Sequence, residues 1–184
     1  RRGAQSGRPR RTNQANHGPQ PAGGREPPLR GLRVLDIATF VAAPFAGACL
    51  AEFGAEVIKI EKPVIGDSLR HLGASSDAGD SYFWINEARN KKCITINLRT
   101  DEGREILGRL IDTADVVVEN FKQGSLTRYG LDYESLRVEN PSLVYCSITG
   151  FGQSGPEAAR AGYDFMIQGM AGLMSVTGEP EGMP

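Results

Sequence analysis

Residues 32–61 read LRVLDIATFVAAPFAGACLAEFGAEVIKIE, and three segments of different character follow one another within them. The apolar run Leu32 to Ile37 predicts a strand, the small-residue stretch Ala43 to Phe53 a helix, and Glu56 to Glu61 a second strand. Pro44 is pre-set for a first helical turn, and Gly54 is a natural stop at the other end. Strand, helix and strand at this spacing make a βαβ unit with a right-handed crossover, so the two strands are parallel.

Working outward, residues 62–80 carry Gly, Pro, Ser and Asp without periodicity and read as a long loop, a length that points to function or mobility. Tyr82, Phe83 and Trp84 follow as an aromatic cluster expected to pack in the core. Cys93 to Leu98 reads as the next strand, and Thr100 caps a helix over Asp101 to Thr113 with Ile106, Leu107, Leu110 and Ile111 on one face. Asp115 to Asn120 is a short buried strand. A helical turn at Gly124 to Tyr129 stops at Gly130, and a short helix fits Tyr133 to Glu139 ahead of Pro141. Leu143 to Ile148 is a final strand, and Phe165 to Met174 a final helix. Strands alternating with helices predict an α/β fold with a doubly wound parallel sheet. The first strand runs into Ala38-Thr39-Phe40-Val41-Ala42-Ala43-Pro44, not into a GxGxxG turn, so the topology is Rossmann-like without the usual dinucleotide cradle.

The chain has 184 residues, 40% of them hydrophobic, enough for one sizeable core. Its net charge of −1 hides a division, because residues 1–30 hold seven Arg and one acid while residues 31–184 carry a net charge of −7. The first segment, with almost no large apolar side chains, is expected to be a disordered basic tail. The acidic remainder argues against nucleic acid as a partner. Cys49, Cys93 and Cys146 sit apart in apolar stretches and read as buried thiols of a reducing compartment. His17 and His71 have no ligand-spaced partner, so no metal site is expected. No apolar run approaches the roughly 18 residues that span a bilayer, which predicts a soluble protein without membrane contact. A cytoplasmic location follows, with the mitochondrial matrix as the alternative that an Arg-rich start leaves open.

Candidate chemistry falls at the strand ends. Lys62, Arg99 and Asn120 each follow a strand, and Arg128 lies on the next turn. Three cations and an amide on one rim suit a phosphorylated nucleotide, with Val41 and Ile96 flanking an adenine, although solvated charges at loop starts fit the same spacing. Beyond the last strand, Gly162-Tyr163-Asp164 places an acid and a phenol beside a glycine where ligands collect in open α/β sheets; a plain surface turn uses the same residues.

Five ordered blocks carry a resemblance: Val34 to Pro63, RNKKCITINL (89–98), ADVVVENF (114–121), YCSITGFGQSGP (145–156) and RAGYDFMIQGMAGLMSVTG (160–178). Together they resemble the family III CoA-transferases, the group of formyl-CoA, carnitine-CoA and succinyl-CoA-dependent dicarboxylate transferases. The resemblance spans 31–184 and implies the amino-terminal part of a Rossmann-like large domain, two chains interlocked like links, and CoA at the strand ends. It implies CoA contacts from Val41, Ala42, Lys62, Ile96, Asn97, Leu98, Arg99, Asn120, Phe121, Lys122, Arg128, Ala161, Gly162 and Tyr163, which overlap the rim read from the residues. The implied mechanism uses an aspartate nucleophile that attacks an acyl-CoA thioester, passing through a mixed anhydride and an enzyme-CoA thioester before a carboxylic acid collects the CoA. Family spacing puts that aspartate past Pro184, so Asp164 is expected to be an accessory acid. Related racemases carry a His where Tyr163 stands, and a phenol of ordinary pKa about 10 is a poor proton shuttle. Val41 and Ala161 stand where the formyl-CoA transferases carry a Gln and a Lys, which argues against formyl or oxalate specificity and leaves a larger acyl group open.

Overall fold

The computed structural model describes residues 26–183. Five strands form one sheet: β1 (Arg33–Asp36), β2 (Glu56–Glu61), β3 (Lys91–Thr95), β4 (Val116–Glu119) and β5 (Val144–Ser147). All neighbours pair in parallel in the order β3-β2-β1-β4-β5, with Asp36 directly opposite Lys59 and Val34 opposite Val116. This is the doubly wound α/β arrangement expected: strands are added outward from β1 to one side as β2 and β3 and to the other as β4 and β5, and at this switch between β1 and β4 such sheets open a crevice.

Two helical layers follow from the two-residue period of the strands. Val34, Val57 and Val118 point to the side covered by α1 (Ala42–Glu52), whose buried face is Ala43, Pro44, Gly47, Ala48 and Ala51. Leu35, Ile37, Ile60 and Val117 point to the other side, against Leu107 and Ile111 of α3 (Asp101–Ile111) and Leu136 of α4 (Tyr133–Glu139). The small residues of α1 let it lie close on the sheet; a Cβ at Gly47 would stand 3.1 Å from an Asp36 carboxylate oxygen. Asp132 and Thr100 cap α4 and α3 by accepting from the Ser135 and Gly103 N–H groups. Gly54 ends the first crossover in a left-handed conformation, φ +98°, against Pro27.

Several expectations change. The 62–80 loop contains a 3-10 turn at Ser68–His71, and the aromatic cluster begins a short helix, α2 (Tyr82–Glu87), that buries Trp84 but leaves Tyr82 and Phe83 exposed. Ser81 caps α2 through its Oγ, and this cap orients Trp84 inward. Strand β3 starts two residues earlier than its apolar run and ends at Thr95, because pairing with β2 governs it; as an edge strand it leaves Ile94 accessible. Ile106 is exposed on α3. The last helix, α5 (Asp164–Met170), stops where Gly172 turns left-handed at φ +83°, and a separate 3-10 turn follows at Leu173–Ser175. The thiols are not all buried, since Cys93 is exposed and Cys49 and Cys146 are half-buried. Residues 26–30, within the stretch expected as a tail, make a turn in which the Leu29 N–H bonds the Phe53 carbonyl at 3.0 Å and Leu29 packs beside α1. The remainder of that expected tail lies outside the described residues.

Candidate functional site

A cleft of about 590 Å³ opens over the carboxyl ends of β1, β2, β3 and β4. Its floor is apolar, from Ile37, Ile60, Ile96, Leu126 and Phe121, and its rim brings together Lys62, Arg99 and Arg128 with Asn97 and Leu98. Seven of the expected residues therefore share one space although they come from three crossovers. Tyr129 adds an aromatic wall with two guanidinium groups near its ring: Arg128 lies 4.5 Å and Arg104 5.2 Å from the ring centroid. Apolar floor, aromatic wall and cationic rim suit a ligand with a planar base and phosphates.

The other expected residues stand elsewhere. Lys122 lines a second cleft of about 610 Å³ beside Glu119, Tyr133 and Tyr145. Val41 and Ala42 begin α1 at the margin of the first cleft's Thr39, so Val41 does not face Ile96 across that space. Asn120, expected to offer its amide to a ligand, uses it on the chain: its Oδ1 accepts from the Thr39 N–H at 2.9 Å and its Nδ2 donates to the Thr39 carbonyl at 2.7 Å. Ala161, Gly162, Tyr163 and Asp164 are exposed beyond β5 and line neither cleft. Gly162 lies so close to Gly150 that a Cβ on either would come within 2.4 Å of the other's Cα, so glycine here serves the packing of two loops. Asp164 opens α5 and accepts from Gln168 Nε2 at 2.7 Å.

A network of buried charges that residue spacing did not reveal runs beneath the cleft, and two of its acids, Glu61 and Asp67, line the cleft wall itself. Lys59, 1% exposed, reaches Asp67 at 3.1 Å and Asp36 at 3.5 Å and also donates to the Ala38 carbonyl; Lys91 reaches Asp36 at 3.0 Å. Asp67 in turn accepts from the Phe40 N–H, and its own N–H donates to Glu61 Oε2 at 2.9 Å. Arg70 grips Glu61 with two bonds of 2.7 and 2.8 Å, bonds Asp80 at 2.9 Å, and stacks 3.9 Å over the Trp84 ring. Burial alone would raise the Glu61 carboxyl; the Arg70 guanidinium and the Asp67 N–H outweigh it and hold it below the usual carboxylate range. Glu61 raises the Arg70 pKa in return. Although Cys93 is exposed as a residue, desolvation of its thiol against the sheet, then the Glu61 carboxylate, pushes the thiol up to about 11, which makes it a poor nucleophile at neutral pH. The one available signal for this network was an Asp and a Lys, each inside an apolar run, on strands predicted to be parallel neighbours.

Among the described residues no group of three or more His, Cys, Asp or Glu is placed to hold a metal ion, and no helix is long and apolar enough to cross a membrane.

The parallel sheet, with a cationic, partly aromatic cleft at its switch-point end, puts the chain in the doubly wound α/β class, in which ligands collect at that end. Within that class the chain belongs to CoA-transferase family III, whose model matches residues 29–184. It is 52% identical over 166 residues to the succinate–glutarate CoA-transferase of Agrobacterium fabrum, covering 87% of this chain and 42% of that protein. It is 42% identical over 157 residues to the succinyl-CoA:glutarate CoA-transferase of Homo sapiens, covering 85% and 36%. The crystal structure of a CAIB/BAIF family protein from Brucella suis superposes with a TM-score of 0.81 at 51% identity, covering 87% of this chain and 43% of that one. The chain spans about 40% of the length of the curated relatives it matches.

Proposed function

We propose that this chain is the amino-terminal part of a CoA-transferase large domain, and that it holds the CoA moiety of an acyl-CoA whose CoA is passed to a carboxylic acid. The observation that carries this reading is the meeting of Lys62, Arg99 and Arg128 on one rim above an apolar floor. The cations pair with the phosphates, and Ile96, Phe121 and Tyr129 flank the adenine. Lys122 and Asn120 complete the site, Lys122 by charge from the adjoining cleft and Asn120 by ordering Thr39. The activities named for the similar proteins from Agrobacterium and man support a dicarboxylate as acceptor, with a succinyl-type donor. Val41, in place of the amide of the formyl-CoA enzymes, leaves room for that larger acyl group.

The reacting carboxylate in this reading is an aspartate outside residues 1–184. It attacks the thioester carbonyl and expels CoA thiolate; the thiolate returns to the aspartyl anhydride, releasing the acid and leaving an enzyme thioester. The acceptor carboxylate attacks the carbonyl of that aspartyl thioester and expels CoA thiolate, giving a second mixed anhydride; the thiolate then attacks the acceptor's acyl carbonyl, which releases the new acyl-CoA and the free aspartate. Asp164 is an accessory acid near the reacting carbonyl, and the functional unit is an interlocked homodimer. Tyr163 in the racemase His position weighs against racemisation.

Isotopically labelled glutarate incubated with succinyl-CoA and the full-length protein is expected to yield labelled glutaryl-CoA. An Arg128→Ala variant is expected to weaken CoA binding at least tenfold in calorimetric titration. Equal binding by both proteins would remove the rim from the site, and CoA binding without label transfer would favour a non-catalytic CoA-binding module.

A further inference from the structure

The loop between β1 and α1 is held more tightly than any turn of its length requires. Three consecutive backbone N–H groups are each satisfied by a side chain from a different part of the fold. The Ala38 N–H donates to Asp36 Oδ1 at 3.2 Å, the Thr39 N–H to Asn120 Oδ1 at 2.9 Å, and the Phe40 N–H to both Asp67 oxygens at 3.1 and 3.2 Å. The carbonyls of Ala38 and Thr39 are taken by Lys59 and by Asn120 Nδ2. At the end of this series Phe40 adopts φ +66°, a left-handed conformation that a bulky side chain rarely accepts, while the residue stays 46% exposed. The ring therefore gains little from packing there, and the backbone conformation must be imposed from outside. Such strain persists where the surroundings over-determine it. Asp67 is the group that faces Phe40. It is buried, charged, and itself fixed by Lys59 at 3.1 Å and by the Leu69 N–H at 3.0 Å.

Building on the CoA-transfer reading above, we infer that Asp67 is a positioning residue. By holding Phe40 left-handed it sets where Val41 and Ala42 stand at the start of α1, the residues that the proposed function sets beside the acyl group. Asp67 lies in the cleft wall, but it is 3% exposed and both of its oxygens are already engaged by the Phe40 N–H, the Leu69 N–H and Lys59, so it acts through the loop and not on the ligand. Its effect is on the placement of the acyl group, and the CoA arm is held separately by the cationic rim. Loss of Asp67 should lower kcat and leave the KM for acyl-CoA nearly unchanged, whereas loss of Arg128 should raise KM.

The test uses the full-length protein and succinyl-CoA as donor, with five variants assayed for CoA transfer alongside the unaltered protein. Asp67→Asn is expected to lower kcat tenfold or more with KM within threefold. Phe40→Gly, which adopts the left-handed conformation without strain, should keep kcat within threefold. Phe40→Val also loses the ring but resists that conformation, and should lose kcat as Asp67→Asn does, with the buried charges intact. The double variant Asp67→Asn/Phe40→Gly should recover most of the lost kcat, a rescue that a purely structural role in the charge network does not produce. Arg128→Ala serves as the rim control.

The inference is overturned if Asp67→Asn keeps kcat within twofold, or if its loss is not restored by Phe40→Gly. Should Asp67→Asn fail to fold, the pair at Phe40 decides: equal kcat for Phe40→Val and Phe40→Gly overturns it. If the unaltered protein transfers no CoA, the functional reading fails and takes the inference with it. If Arg128→Ala raises KM while the Asp67 and Phe40 variants behave like the parent, the inference alone fails.

Discussion

Glu61 sits at the end of β2 with its side chain almost wholly removed from water, and two opposing effects act on its carboxyl. Desolvation favours the neutral acid, while the paired Arg70 guanidinium and the Asp67 N–H favour the anion and prevail. Its folded pKa is therefore below its unfolded value of about 4.3. The stabilisation is complete above that value and fades as the pH falls through the depressed folded pKa. Glu61→Gln is expected to cost about 1.5–3 kcal/mol at pH 7, the range for a hydrogen bond to a charged group. In urea unfolding followed from pH 7 down to pH 3, the gap between the two proteins should narrow. A gap that stays constant over that range would contradict the assigned ion pair. Residues of this kind were hard to read in advance. Lys62, Arg99 and Arg128 were legible because they follow strand ends. Asp67 and Arg70 lie in a Gly/Ser-rich loop where nothing local tells a buried anchor from a solvated charge.

The elements differ in how much of their limits is local. The start of α3 was legible because its cap, Thr100, acts on the Gly103 N–H three residues on, a contact of short range. The limits of β3 were not, because its first residues pair with β2 by register whatever their side chains, and edge pairing is a property of the sheet. Helix and cleft meet at Gly103, where a Cβ would stand 2.0 Å from the Asn97 carbonyl oxygen. Alanine gains about 1 kcal/mol over glycine in helix propensity. A clash with backbone at that distance outweighs this, since overpacking costs about 1–3 kcal/mol when the surroundings must shift. Gly103→Ala is therefore expected to lower the thermal midpoint. Because the turn that must move carries Ile96 to Arg99, the same variant should weaken CoA binding, which calorimetric titration can measure. An unchanged midpoint would show that the close contact relaxes freely.

At the scale of the molecule, Lys59 joins β1, β2 and the 62–80 loop through Asp36 and Asp67, and Lys91 brings in β3. Buried ion pairs add little net stability as built, but removing one partner strands the other charge in a low dielectric and costs about 3–5 kcal/mol. Lys59→Met retains much of the stem's volume and leaves the two acids without their shared cation. It is expected to destabilise the protein by that amount in chemical denaturation, whereas Lys92→Met, on the surface pair with Glu56, should change stability by less than about 1 kcal/mol. Similar losses for the two lysines would deny the network its anchoring role.

The order and type of most elements, the parallel sheet and the cationic rim could be inferred from the chain because each depends on short-range patterning: two-residue and helical periods, caps, and polar residues at strand ends. The conformation of Phe40, the use of Asn120 on the Thr39 backbone, the burial of Asp36, Lys59 and Asp67, and the separation of Gly162-Tyr163-Asp164 from the cleft arose from folding. Each of these depends on contacts between segments distant in sequence, and no local pattern records which partner a side chain meets once the sheet has assembled.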